Sequence, residues 1–119
     1  MRLIQMDVDS RIKRTIQAIE SDINSDWTLD ELAKIANLSK WQFLRVFRSQ
    51  ISCTPLRYLK EMRLTLAKDL LESSDLSIKE IAFRIGINDN SHFVRDFRMT
   101  YGSSPARYRA SLKRERVPS

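Results

Sequence analysis

The chain repeats itself. Phe43, Arg45, Phe47, Arg48, Pro55, Arg57 and Tyr58 recur fifty residues later as Phe93, Arg95, Phe97, Arg98, Pro105, Arg107 and Tyr108. Just upstream, Leu29, Glu31, Leu32, Ala33 and Leu38 recur as Ile78, Glu80, Ile81, Ala82 and Ile87 at a spacing of forty-nine, so the second copy carries one extra residue between the two blocks. A unit of about thirty residues has been duplicated. With 119 residues the chain holds one domain, or two very small ones sharing a core. Two copies of a small unit in so short a chain point to two heads that meet one long partner.

The charge pattern says what sort of partner. Lys and Arg number 21 against 15 Asp and Glu, a net charge of +6. Such a balance favours an acidic partner, although many basic proteins bind no nucleic acid. Its distribution is sharper. From Ser39 to Lys60 there are five basic residues and no acid, and from Phe97 to Arg114 again five and none. The acids collect outside these runs, at Asp22, Asp26, Asp30, Glu31, Asp69, Glu72 and Asp75. A single run is usually a solvated face; two at matching positions of a repeat are a pattern.

The single cysteine, Cys53, leaves no internal disulfide, and the single histidine, His92, cannot complete a zinc finger with it. Two glycines cannot build a phosphate-cradling loop or a dinucleotide fingerprint. No catalytic constellation, metal site or cofactor is expected, and the chain reads as a non-enzyme. No apolar stretch approaches the roughly 18 residues that span a bilayer. The first residues, with Asp7 and Asp9, do not resemble a signal peptide. The expected home is the cytoplasm, with no membrane partner.

With only two glycines and three prolines, and no sustained alternation, helix is the default reading. Punctuation marks about seven helices, an all-α fold. Ile12, Ile16, Ile19 and Ile23 line one face of a first helix starting near Asp9 or Ser10 and ending before Asn24. Thr28–Glu31 and Ser39–Gln42 are capping boxes opening a helix through Ala36 and another to about Gln50. Between them lies Asn37-Leu38-Ser39, the spacing of a helix-turn-helix, whose second helix fits a major groove about 12 Å wide. The second copy repeats each device. Ser77–Glu80 is a capping box, Gly86 takes the left-handed turn position of Asn37, and Asn88 or Asp89 caps a helix to about Thr100. Thr54-Pro55 and Ser104-Pro105 are cap-then-proline starts. The expected organisation is a first helix and helix-turn-helix in residues 1–54, a linker helix in 55–73, and a second helix-turn-helix in 74–119. A linker from Pro55 to about Glu72 is roughly 27 Å long. With half a motif at each end it can bring two reading helices to adjacent major grooves about 34 Å apart.

These residues reach a known pattern. Arg63-Leu64, Ala67 and Leu70-Leu71, then Ile81-Ala82 and Gly86, then Ser91, Phe93, Arg95, Phe97, Gly102, Pro105 and Tyr108-Arg109 resemble the DNA-binding domain of AraC/XylS-type transcription regulators. The resemblance covers about 80 residues, from Thr28 to Arg109. Ser39-Lys40-Trp41, with Arg45 and Phe47, resembles the MarA/SoxS/Rob branch. Three positions depart from the pattern. Ile87 stands where Phe is common, and Leu44 occupies an outward position that is often polar. Ser52 replaces a frequent glycine, which implies a turn unlike that at Gly102.

On each reading helix the apolar stripe, Phe43, Val46 and Phe47 or Phe93 and Phe97, is expected to pack inward. Trp41, Leu44, Arg45 and Arg48 then share the outward side of the first, and Asn90, Ser91, Val94, Arg95 and Arg98 that of the second. Arg45 and Arg95 are the candidates for base contact, since a guanidinium donates two parallel hydrogen bonds to guanine; a phosphate contact or an ion pair is the alternative. The resemblance also implies that Trp41, Leu44, Asn90, Ser91 and Val94 approach base edges. Trp41, Leu44 and Val94 can pack on thymine methyls and Asn90 can pair with adenine, while Trp41 can instead lie half-buried on its own helix. Lys40, Arg48, Arg57, Arg98 and Arg107 are candidate phosphate clamps. His92 reads as a surface residue.

The leading expectation is a transcription regulator that binds double-stranded DNA as a monomer, at an asymmetric site because its two heads differ. Activation, through contact with RNA polymerase, is implied by the resemblance alone. The alternative is the carboxyl-terminal DNA-binding part of a larger effector-responsive regulator, since only about 27 residues precede the first motif. A third class, a helical module meeting an acidic protein, predicts no preference among duplex sequences.

Overall fold

A computed structural model describes residues 8–116, and their side chains as far as Lys113. Asp7, and the side chain of Arg114 that ends the second basic run, lie outside the described part. The described residues form seven helices and no strand: α1 (Ser10–Ser21), α2 (Leu29–Ile35), α3 (Lys40–Ile51), α4 (Pro55–Ser73), α5 (Ile78–Ile85), α6 (Asn90–Tyr101) and α7 (Pro105–Arg116). The all-α fold with two helix-turn-helix subdomains and a long connecting helix is as the sequence predicts.

The helices begin where the capping chemistry places them. Thr28, Ser39 and Ser77 each close a capping box, with Glu31, Gln42 and Glu80 reaching back to the cap. Each such cap is worth about 1 kcal/mol. Between α2 and α3 the chain turns through Asn37 at φ 57°, and between α5 and α6 through Gly86 at φ 87°. One expectation fails. Ser52 does not make a different turn; its φ of 75° puts it in the same left-handed region as Gly102 at 87°. They end α3 and α6, each donating its N–H back to the carbonyl of Arg48 or Arg98. The next helix must start three residues later in both copies, and that geometry overrides serine's preference.

The chain separates into two compact units, with the division between Glu61 and Met62, inside α4. In the first unit Ile12, Ile16, Ile19, Leu32, Ala33, Ala36, Phe43, Phe47, Tyr58 and Leu59 are buried. Phe47 stands between Phe43 and Tyr58, with ring centroids 5.7 Å from each. In the second, Leu64, Ala67, Leu71, Ile81, Ala82, Ile85, Phe93 and Phe97 form one cluster, with Ile87, Tyr101 and Tyr108 packed against it. Full burial of a Phe ring contributes about 1.5–3 kcal/mol, so the four Phe residues anchor two cores.

The helix α4 therefore serves twice. Its first half gives Tyr58 and Leu59 to the first core, as α7 gives Tyr108 to the second. Its second half buries Leu64, Ala67 and Leu71 at the spacing at which α1 buries Ile12, Thr15 and Ile19. Thr15 tolerates this because its hydroxyl donates to the Arg11 carbonyl at 3.1 Å. The repeat is thus a helix, a helix-turn-helix and a closing helix, longer than the thirty residues visible in sequence.

Candidate nucleic-acid interface

In the first head, Ser39 opens α3 and the stripe Phe43 and Phe47 turns to the core, fully buried. The opposite side is left to Trp41, Leu44, Arg45, Arg48 and Ser49, which together with Thr54 line one open hollow. Trp41 is 71% exposed, so it is not half-buried on its own helix. The Lys40 ammonium lies 5.7 Å from its ring centroid, a cation–π contact that keeps a positive charge beside the indole. Leu44, which lines the hollow, is half-buried, and Arg45 and Arg48 are exposed. Val46 is half-buried rather than part of the sealed core. Thr54 caps α4 by accepting the Arg57 N–H at 3.2 Å, so the amino end of α4 borders the hollow.

The second head is built alike but capped differently. Asp89 accepts the N–H groups of Ser91 and His92 at 2.8 and 3.3 Å. His92 occupies the position of Gln42, and its Nδ1 lies 3.9 Å from the Asp89 carboxylate with the ring exposed. Asn90, Ser91, Arg95, Arg98 and Met99 are exposed and Val94 is half-buried. Ser104 accepts the Arg107 N–H at 3.2 Å, as Thr54 does that of Arg57.

The cations of each head are largely uncompensated. Among the described residues Arg45, Arg48, Arg57, Arg98 and Arg107 have no carboxylate within ion-pair distance. Arg95 has one, Asp96, at 4.0 Å, with the Arg side chain 61% exposed. Such a pair is worth little and yields to a phosphate or a base. Exposed cations without partners, beside half-buried apolar side chains, suit a surface that is anionic outside and carries methyl groups and hydrogen-bonding edges within. Among the described residues no group of His, Cys, Asp and Glu can hold a metal ion, and no helix is long and apolar enough to cross a membrane.

The closing helix of the second unit is fixed by polar contacts that the sequence reading missed. The Tyr108 hydroxyl donates to the Glu72 carboxylate, which Lys68 also approaches at 3.4 Å. Arg109 donates to the carbonyls of Leu70, Leu71, Ser74 and Leu76, capping the carboxyl end of α4. In the first unit Leu59 stands where Arg109 does, and the Trp27 indole N–H serves the end of α1, donating to the Asp22 carbonyl at 2.9 Å. Sequence reading also missed Ser49, Thr54 and Met99. The signal was present, since 49 and 99 follow Arg45 and Arg95 by one helical turn on the same face.

Comparison with known proteins agrees with this geometry. A helix-turn-helix domain model matches residues 32–111. An HTH-type transcriptional regulator of Haemophilus influenzae is 35% identical over 104 residues, which are 87% of this chain and 35% of that protein. The HTH-type transcriptional activator RhaS of Klebsiella pneumoniae is 35% identical over 97 residues, 82% of this chain and 35% of that one. The chain thus spans about a third of the length of these relatives. Among solved structures, the DNA-binding domain of the global transcriptional factor AdpA, in complex with a target DNA, matches with a TM-score of 0.85 and 33% identity. That match covers 89% of this chain and 96% of that domain.

Proposed function

Because the chain belongs to the AraC/XylS-type family of helix-turn-helix transcription regulators, we propose that it reads two adjacent major grooves of one asymmetric DNA site as a monomer. The observation that carries this reading is the doubled outward stripe. Two capped helices each bury a pair of Phe rings and turn exposed guanidiniums outward, of which only Arg95 has a carboxylate near, Asp96 at 4.0 Å. One continuous helix, α4, of 19 residues and about 28 Å, runs from one unit into the other.

In this reading Arg45 and Arg95 pair with guanine, while Trp41, Leu44, Asn90, Ser91 and Val94 meet neighbouring base edges. Lys40, Arg48, Arg57, Arg98 and Arg107 clamp phosphates, helped by the backbone donors at the starts of α4 and α7. The stripes differ, Trp41-Leu44-Arg45 against Ser91-Val94-Arg95, so the two half-sites differ and the site is not palindromic. The RhaS relative is named an activator. That name supports activation here; contact with RNA polymerase, in the cytoplasm, follows from the family resemblance alone.

A second reading concerns the whole protein. The matched segments make up only 35% of these relatives, which are therefore well over twice as long as this chain. That favours a role as the carboxyl-terminal DNA-binding part of a larger, effector-responsive regulator.

Selection of bound duplexes from a random pool tests the proposal. The expected product is a split, non-repeating site with its two parts about one helical turn apart. A pool that stays random after several rounds overturns it.

A further inference from the structure

Met99 is 80% exposed, more than any other large apolar side chain among the described residues. It does nothing for the second core, which is complete with Phe93 and Phe97. Its place on α6 is informative. It follows Arg95 by four residues and Arg98 by one, on the outward stripe, and its counterpart in the first copy, Ser49, lines the hollow with Trp41, Leu44, Arg45 and Arg48. Copy one therefore presents a hydroxyl at the position where copy two presents a flexible thioether.

We infer that Met99 is a specificity-determining residue of the second head, packing on a thymine methyl where the first head offers the Ser49 hydroxyl. The inference rests on the DNA-reading role proposed above. A thioether offers nothing to a phosphate, and the thymine methyl is the one apolar group on the floor of the major groove. Methionine's unbranched chain adapts to such a target. Ser91, Arg95 and Met99 follow one another at four-residue steps, about 6 Å along the axis. Successive base pairs lie about 3.4 Å apart. The thymine thus falls about two base pairs beyond the guanine that Arg95 reads.

The test uses the full chain and a duplex recovered by selection. Each thymine is replaced in turn by deoxyuridine, which removes only the methyl. One replacement, about two base pairs from the Arg95 guanine, should weaken wild-type binding about three- to tenfold, the scale of one buried methyl. Met99→Ser should weaken the unmodified duplex by a similar factor and be insensitive to that replacement. Met99→Leu should keep the sensitivity. If Met99→Ser responds to every deoxyuridine as the wild type does, or weakens selected and random duplexes equally, the inference is overturned while the DNA-reading role stands. If no duplex is enriched in the first place, both fall.

Discussion

Ser52 and Gly102 hold the same left-handed backbone at matching positions of the repeat, with φ of 75° and 87°. Only one of them is a glycine. A side chain in this region costs roughly 1–2 kcal/mol, and glycine's greater loss of chain entropy offsets about half of that. Nothing lies within 4 Å of where a Cβ on Gly102 would stand, so only the backbone term separates the two residues.

Ser52→Gly should therefore stabilise the protein by about 0.5 kcal/mol, and Gly102→Ser should cost about the same. Urea midpoints moving in opposite directions at unchanged slope would bear this out. A loss of stability in Ser52→Gly would mean that the hydroxyl holds a contact worth more than the backbone strain.

Tyr58 and Tyr108 are also equivalent, yet only one has a polar partner. The Tyr58 hydroxyl is buried without a hydrogen bond, and burial, with Glu20 and Cys53 adding to it, pushes its pKa up to about 12. The Tyr108 hydroxyl donates to Glu72, and that hydrogen bond raises its pKa. Tyr58→Phe keeps the ring against Phe47 and removes an unsatisfied group, so stability should rise by up to about 1 kcal/mol. Tyr108→Phe removes one hydrogen bond from a partly exposed carboxylate that keeps Lys68, and should cost about 0.5–1 kcal/mol. Chemical denaturation of both variants decides it, and equal losses would refute the distinction.

What could be read in advance was local. Thr28, Ser39 and Ser77 announce helices because each cap and its partner lie three residues apart, and nothing distant contradicts them. The Phe43/Phe47 and Phe93/Phe97 stripes were legible for the same reason, as one face of one helix. Ser52 was not, because its turn is imposed by two packed helices against its own preference. The double use of α4 was hidden too. Leu64, Ala67 and Leu71 share spacing with Ile12, Thr15 and Ile19 but no residue types. The Arg109 clasp joins residues 33 to 39 positions apart, beyond any local signal. On the outward side of α3, Arg45 was visible from its repeat and Ser49 from its place one turn later, whereas Thr54 joined them only when the hollow took shape.

The amino end of α1 carries a pH-dependent tie. Asp9 caps the helix through the Arg11 N–H and pairs with the Arg11 guanidinium at 2.6 Å, and its own N–H donates to Gln50 at the far end of α3. These contacts, the Arg11 side-chain hydrogen bonds foremost, lower the Asp9 pKa from 3.8 to about 2. The unfolded chain then binds the proton first, so stability contributed by this carboxylate is complete above about pH 4 and is lost as pH falls towards 2. Melting curves of wild type and Asp9→Asn should differ at pH 7 and converge by pH 2. Because the group faces solvent, molar salt should narrow the gap at pH 7. A gap that persists unchanged to pH 2 would assign the effect to something other than this charge.

The two arginines of the first hollow should separate in a binding assay. Arg45 lies one turn after Trp41 and beside Leu44, whereas Arg48 lies nearer the end of α3, and neither has a carboxylate partner among the described residues. Arg45→Ala should cost about 1–3 kcal/mol on the selected duplex and relax preference at one base pair, with little change on random DNA. Arg48→Ala should weaken both by the same factor. It should also reduce the slope of log affinity against log salt by about 0.9, one phosphate's worth, out of roughly six to ten contacts in all. The same pair of outcomes is expected for Arg95→Ala and Arg98→Ala in the second head. Titrations at several salt concentrations against both duplexes read the two effects independently. An Arg45→Ala variant that loses affinity equally on both duplexes, with a shallower salt slope, would move that guanidinium from base edge to backbone.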